Sequence, residues 1–135
     1  MVKVTGLQLS EDKDRYYVLD NYSDAEDGIV GEVIMQYYQG YIALSHIDIY
    51  KEFRGLGYGK QIIKFLFSRT HPEGIVGESL KTSTKFWQNC INTFGGYSTK
   101  EGRMFGNTAF AFVIGTDKEL DPALLQKLLQ LCAKY

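Results

Sequence analysis

Residues 47–60 read Ile-Asp-Ile-Tyr-Lys-Glu-Phe-Arg-Gly-Leu-Gly-Tyr-Gly-Lys. A β-rich run enters a segment with glycine at every second position, and that segment opens into a run of helical spacing. Chemically, this is how a chain builds a seat for an anion. Glycines let the backbone turn tightly, so that successive N–H groups converge on one point. The start of a helix adds roughly half a positive charge. Arg54 and Lys60 bracket the glycines with full charges. The guest that suits such a loop is a pyrophosphate.

The elements that must hold this loop can be read from periodicity and punctuation. Val2, Val4 and Leu7 or Leu9 alternate irregularly and suit an edge strand, which the polar turn at 11–14 ends. Residues 16–22 are rich in β-formers and read as a second strand. After an acidic, turn-rich stretch at 23–28, residues 29–38 and 41–50 read as a hairpin across Gln39-Gly40. The first half is thus an antiparallel meander with no helix before residue 58. Ile62, Ile63, Leu66 and Phe67 then predict a helix over 59–69, stopped at His71-Pro72. A short strand at 74–80 follows. Trp87, Ile91 and Phe94 place a second helix over 82–94, ended by Gly95-Gly96. Residues 97–104 and 108–114 form a closing hairpin that turns near Gly106-Asn107. Asp121-Pro122 caps a last helix, whose Leu124, Leu125, Leu128, Leu129 and Cys132 share a core or dimer face.

Composition bounds what this architecture can serve. A chain of 135 residues fits one domain, 1–135. With 44% apolar and 14% aromatic residues it has the material for a packed core. A net charge of −1 gives no reason to expect nucleic-acid binding. The charge is uneven, though: residues 11–27 hold seven acids and two bases, residues 51–69 five bases and one acid. Cys90 and Cys132 form no metal or redox pattern and read as buried thiols in a reducing compartment. No run is long and apolar enough to cross a membrane, and the first residues lack a signal-peptide pattern. The expectation is a cytoplasmic protein with neither metal nor membrane contact.

Known phosphate loops separate the readings of the glycine segment. The P-loop spacing fails, because Gln61 follows Gly59-Lys60 and Arg54 sits where a glycine is required. The dinucleotide spacing fails too, since the glycines run G-x-G-x-G and the preceding strand leaves a hairpin. Arg54-Gly55-Leu56-Gly57-Tyr58-Gly59 matches [QR]-x-x-G-x-[GA] at each fixed position. In this, and in the strand and aromatic Phe53 before it and the apolar helix after it, the chain resembles the GCN5-related N-acetyltransferases (GNAT). The likeness runs from about residue 28 to residue 94. It implies a mixed α/β fold, a largely antiparallel sheet with a V-shaped splay and flanking helices. It also implies acetyl-CoA as cosubstrate and transfer of its acetyl group to a primary amine by direct attack in a ternary complex. Carried over by position, Ile47 and Ile49 contact the acetyl-pantetheine arm. Arg54, Gly55, Leu56, Gly57, Tyr58, Gly59 and Lys60 hold the pyrophosphate, and Trp87 lies on the second cofactor helix.

The chain also departs from that family. Family members place two helices between their first two strands, walling the acceptor site, whereas only residues 10–15 separate those runs here. The tyrosine that protonates the departing thiolate has no counterpart in either register of the second helix, leaving Tyr97, Cys90 or a water. An unperturbed amine holds its proton to roughly pH 10, so a base is useful. Imidazole is the side-chain type suited to that exchange, which points to His46; Asp48 shares its face, and Glu32 interrupts an apolar run. The catalytic candidates are therefore His46, Glu32 and Tyr97. The acceptor is a small cationic amine or a protein amine, drawn to the acidic stretch. A CoA-binding or interaction module without catalysis is the alternative, and a homodimer is compatible with the last helix.

Overall fold

The structure, a computed structural model, describes residues 2–99 and 107–134. Among them are seven strands, three α-helices and one short 3-10 turn. In chain order these are β1 (Gly6–Leu9), β2 (Arg15–Leu19), β3 (Ile29–Tyr38), β4 (Tyr41–Ile49), the turn Lys51–Phe53, α1 (Tyr58–Thr70), β5 (Gly74–Leu80), α2 (Thr84–Phe94), β6 (Gly96–Thr99), β7 (Thr108–Ile114) and α3 (Pro122–Ala133). The strands make one sheet in the order β1-β2-β3-β4-β5-β7-β6. Of the registers described, only β4 with β5 is parallel, Tyr41–Ala43 lying against Gly74–Val76. A mixed α/β fold with a mostly antiparallel sheet is what the sequence predicts.

Two compact units divide the chain: Met1–Met35 with His46–His71, and Gln36–Ser45 with Pro72–Tyr135. In the first, β1 and β2 pair from Gly6 opposite Leu19 to Leu9 opposite Tyr16, and β2 pairs with β3 with Tyr17 opposite Glu32. α1 buries Tyr58, Ile62, Ile63 and Leu66, one face of a 3.6-residue period. His71 ends it in a left-handed conformation (φ 49°), ahead of Pro72, which cannot continue a helix. The predicted second strand ends early: residues 20–22 leave the sheet, because the Asp20 carboxylate accepts the N–H of Tyr22 and folds the chain into a turn. The 3-10 turn before residue 58 is likewise a local addition to the predicted elements, closed by the N–H of Phe53 on the Tyr50 carbonyl.

In the second unit the hairpin turn takes positive φ at both Gln39 (50°) and Gly40 (85°), which matches the twist of the strands it joins. Its core gathers Tyr41, Ala43, Val76, Ala111 and Val113 from the strands and Leu125, Leu128, Leu129 and Cys132 from α3. Asp121 caps α3 as predicted, its carboxylate accepting the N–H groups of Ala123 and Leu124. β6 covers only the start of the predicted strand 97–104; residues 100–104 and Gly106 lie outside the described residues. Cys90 and Cys132 are buried and neither is in a disulfide, and burial pushes the Cys132 thiol up to about 12. On that footing Cys132 is not a nucleophile at neutral pH.

The two stabilising devices of α3 differ in size. Leu128→Ala, at a fully buried site, should cost about 2–5 kcal/mol. Asp121→Ala should cost about 1 kcal/mol by removing the cap. Urea unfolding of both variants checks the ranking; equal losses would mean that α3 is not held mainly by its apolar face.

Candidate functional site

The chain leaves β4 at Ile49, makes the 3-10 turn, and reaches α1 through Arg54, Gly55, Leu56 and Gly57. Gly55 and Gly57 take φ of 76° and 98°, in the left-handed region that side-chain-bearing residues avoid. No atom lies within 4 Å of where a Cβ on Gly55 would stand, so backbone conformation rather than crowding requires glycine there. Gly57 is the N-cap of α1 and offers no side-chain oxygen to the first turn. The first backbone hydrogen bond of the helix runs from Gln61 N–H to the Gly57 carbonyl. The N–H groups of Gly55, Leu56, Gly57, Tyr58, Gly59 and Lys60 therefore have no protein acceptor among the described residues. Six successive donors beside a helix N-terminus, on an exposed loop, make a strong seat for an anion.

Arg54 fixes the start of this loop. Its Nε donates to the Ile49 carbonyl at 2.6 Å, and its guanidinium pairs with Asp48 at 3.3 Å. The arginine thus staples the end of β4 to the loop while remaining largely exposed. Asp48, which shares a face with His46 on β4, is thus engaged by Arg54.

The other end is fixed from below. The Tyr58 ring is buried, meets Phe53 edge-on with centroids 6.3 Å apart, and its hydroxyl donates to Asp20 Oδ2 at 2.5 Å. Asp20 is 3% exposed and also accepts the N–H groups of Tyr22 (3.0 Å) and Lys3 (3.5 Å). Burial drives its carboxyl up, but the bond from Tyr58 and the two backbone N–H groups outweigh it and hold the group below its ordinary value. Tyr58 moves the other way, pushed up to about 12 by burial and then by its bond to the Asp20 charge. A cleft of about 390 Å³ is found elsewhere, in the second unit, beside Tyr97, Asp117 and Leu120; beside the loop itself, one of about 370 Å³ is lined by Asp20, Tyr22, Asp24, Phe53, Leu56 and Tyr58.

The remaining candidates are scattered over the two units. His46 is exposed on β4, and Ile47 and Ile49 are half-buried on the same strand. Glu32 is on β3, where its Oε1 accepts from Arg15 at 3.1 Å. Burial and the nearby charges of Glu32 and Tyr17 raise the Tyr50 hydroxyl above its usual range, which places these three groups together. In the second unit, Trp87 is buried on α2 and stacks on Phe112 with ring centroids 4.2 Å apart. The Tyr97 hydroxyl accepts the N–H of Leu120 at 3.0 Å, which leaves its own proton available to donate. Asp20 was missed from the sequence, where it sits at the end of a β-rich run; the Asp-Asn pair at 20–21 is the turn signal that could have marked it.

Comparison with solved structures places the architecture. The chain is similar to a GNAT-family acetyltransferase from Staphylococcus aureus, with a TM-score of 0.54 and 15% identity over 74% of this chain and 66% of that one. The ribosomal-protein-S18-alanine N-acetyltransferase from Escherichia coli gives 0.53 and 11%, over 82% and 75%. The NatC complex bound to Gag peptide and CoA gives 0.51 and 16%, over 74% and 69%. The chain thus spans about two thirds to three quarters of those lengths. No protein-family model matches the sequence. No curated protein matches it either. At these identities the likeness is one of fold, and the fold is that of the GNAT acetyltransferases.

The Asp20–Tyr58 bond has a pH signature at each end. Asp20, lowered in the fold, adds stability that is present above its ordinary value near 4 and is lost as pH falls below it. Tyr58, raised, adds stability that is present below pH 10 and is lost between 10 and about 12. Tyr58→Phe should lower stability at neutral pH by roughly 1–3 kcal/mol and remove one late-titrating phenol from the alkaline absorbance curve. An unchanged curve would show that Tyr58 is not the shielded group.

Proposed function

We propose that the chain is an acetyl-CoA-dependent N-acetyltransferase acting on a primary amine by direct attack in a ternary complex. The observation that carries this reading is the run of six unanswered N–H groups from Gly55 to Lys60, on a loop that precedes a helix in a GNAT fold. Its donors and the helix N-terminus suit the diphosphate of CoA, with Lys60 as a further cation. A fold neighbour solved with CoA and a peptide supports both the cofactor and an amine-bearing acceptor.

In this mechanism the loop holds the donor and the thioester supplies the activated acetyl group. Backbone N–H groups of β4 stabilise the oxygen that gains charge as the amine attacks. His46, exposed on β4, takes the amine proton; its imidazole is the side chain suited to that exchange near neutral pH. Glu32 is the second candidate base, and its pairing with Arg15 makes it the weaker one. Tyr97 is the proposed proton donor to the leaving thiolate. The acids between residues 11 and 27 favour cationic acceptors, a small amine or a protein amine.

A second reading, a CoA-binding module without catalysis, draws on the β1–β2 connection. Five residues join those strands and no helix lies among them, where the family places its acceptor wall.

Two experiments test the proposal. CoA should raise the melting temperature, since a ligand of the folded state stabilises it by mass action. Gly57→Val or Gly59→Val should abolish the shift, and absence of a shift at millimolar CoA in the wild type would refute the donor reading. Separately, acetyl transfer to a pool of amines should be read out by mass. His46→Ala should slow it by roughly 10²–10⁴ with CoA affinity retained. Full rates in both His46→Ala and Glu32→Gln would remove both bases from the mechanism, and no transfer to any amine by a CoA-binding wild type would favour the second reading.

A further inference from the structure

The cleft of about 370 Å³ beside the glycine loop takes no part in the chemistry proposed above, and its lining lies wholly in the first unit. Its size is ordinary for a small-ligand site. Much of the lining is apolar or aromatic. Phe53, Leu56 and the Tyr58 ring come from the loop and the residues that flank it, and Tyr22 from the turn after β2. Tyr22 is 84% exposed and Leu56 55%, so two large side chains with apolar surface stand open to solvent at this one place. The rest of the lining is mostly polar or charged. Asp20 and Asp24 contribute carboxylates, and Lys3 is the one base among the described lining residues.

Neither carboxylate is paired with a side-chain cation. Asp20 is 3% exposed, yet no lysine, arginine or histidine bridges to it among the described residues. Its hydrogen bonds put two donors on Oδ2 and one on Oδ1, which leaves one of about four lone-pair positions open. A buried anion without a counter-ion is costly, and its field extends into the cleft that it lines. Asp24 is exposed and has no ion pair among the described residues. Its charge reaches the cleft interior, where it is among the causes that push the Tyr58 hydroxyl up. Lys3 neutralises neither acid: its backbone N–H, not its ammonium, meets Asp20. A ligand suited to these walls carries a positive charge for the carboxylates and a short alkyl chain for Phe53 and Leu56. The open Tyr22 ring offers the same charge an aromatic face. We propose that this cleft binds a primary alkylammonium group, its charge at Asp20 and Asp24 and its chain against Phe53 and Leu56. The group belongs to a free diamine or to a lysine side chain. The site stands whether or not the chain transfers acetyl groups.

NMR chemical-shift mapping of the whole chain, free of CoA and at neutral pH, tests this with n-butylammonium and with n-pentanol as its neutral match. The ammonium should give saturable shifts at Asp24, Phe53 and Leu56, and the alcohol should not. Asp24→Asn, at an exposed position, should keep its melting temperature and weaken binding about tenfold, the scale of one charge-assisted contact. Tyr22→Ala should weaken it about threefold, the scale of an exposed cation–π contact. Putrescine and Nα-acetyl-lysine methylamide separate the two sources: tighter binding of the first assigns the site to a free diamine, tighter binding of the second to a lysine side chain. Absence of saturable shifts, equal shifts from the alcohol, or full affinity in Asp24→Asn would overturn the site. Because CoA is absent from the titration, each of these failures leaves the reading of the glycine loop standing.

Discussion

A buried carboxylate holds the loop in place. Asp20 is the one acidic side chain in the described buried set, and it is tolerated because three donors converge on it. One comes from the helix that follows the glycine loop, one from the turn after β2, and one from the N-terminal segment. A charge in a low-dielectric setting is costly unless it is fully bonded, so each donor is constrained by the others. Tyr58 is the first residue of α1, and fixing its hydroxyl fixes where the helix begins. The glycines before it can then be conformationally permissive without leaving the loop undefined.

The upstream end of the loop follows the opposite strategy. Arg54 is exposed and clamps backbone, the Ile49 carbonyl, with Asp48 as an auxiliary partner. An exposed pair of this kind adds little stability. Its consequence is geometric: the strand end and the loop start are brought to one spacing, so that six N–H groups leave the protein unanswered. One end of the loop is thus set by a buried anion and the other by a surface cation. Between them the backbone supplies the donors.

The distribution of charge follows from the same plan. The acids of residues 20–27 are partly consumed by local structure: Asp20 is buried, and Asp27 accepts the N–H of Ile29 where β3 begins. Lys60, Lys64 and Arg69 of α1 are exposed and in no ion pair among the described residues. A chain of net charge −1 can therefore still carry a base-lined depression, with Lys3, Lys64 and Arg69 in its lining, while Asp20 and Asp24 line a different cleft.

The sequence by itself determined what depends on near neighbours along the chain. The hairpin at Gln39-Gly40, the stop at His71-Pro72, the Asp121 cap and the glycine loop are all settled within a few residues, by φ preferences and local hydrogen bonds. They were legible for that reason, and so were the apolar stripes of the three helices. Only tertiary structure decided what joins distant residues. Asp20 lies 38 positions from Tyr58, so no periodicity links them, and a β-rich run concealed a turn. Likewise Glu32 read as a lone acid until β2 brought Arg15 beside it, and nothing in chain order announced that the Trp87 ring stacks on Phe112. Local pattern fixes which groups a segment can offer; which of them are consumed by partners and which stay available to a ligand depends on contacts that form only when the sheet assembles.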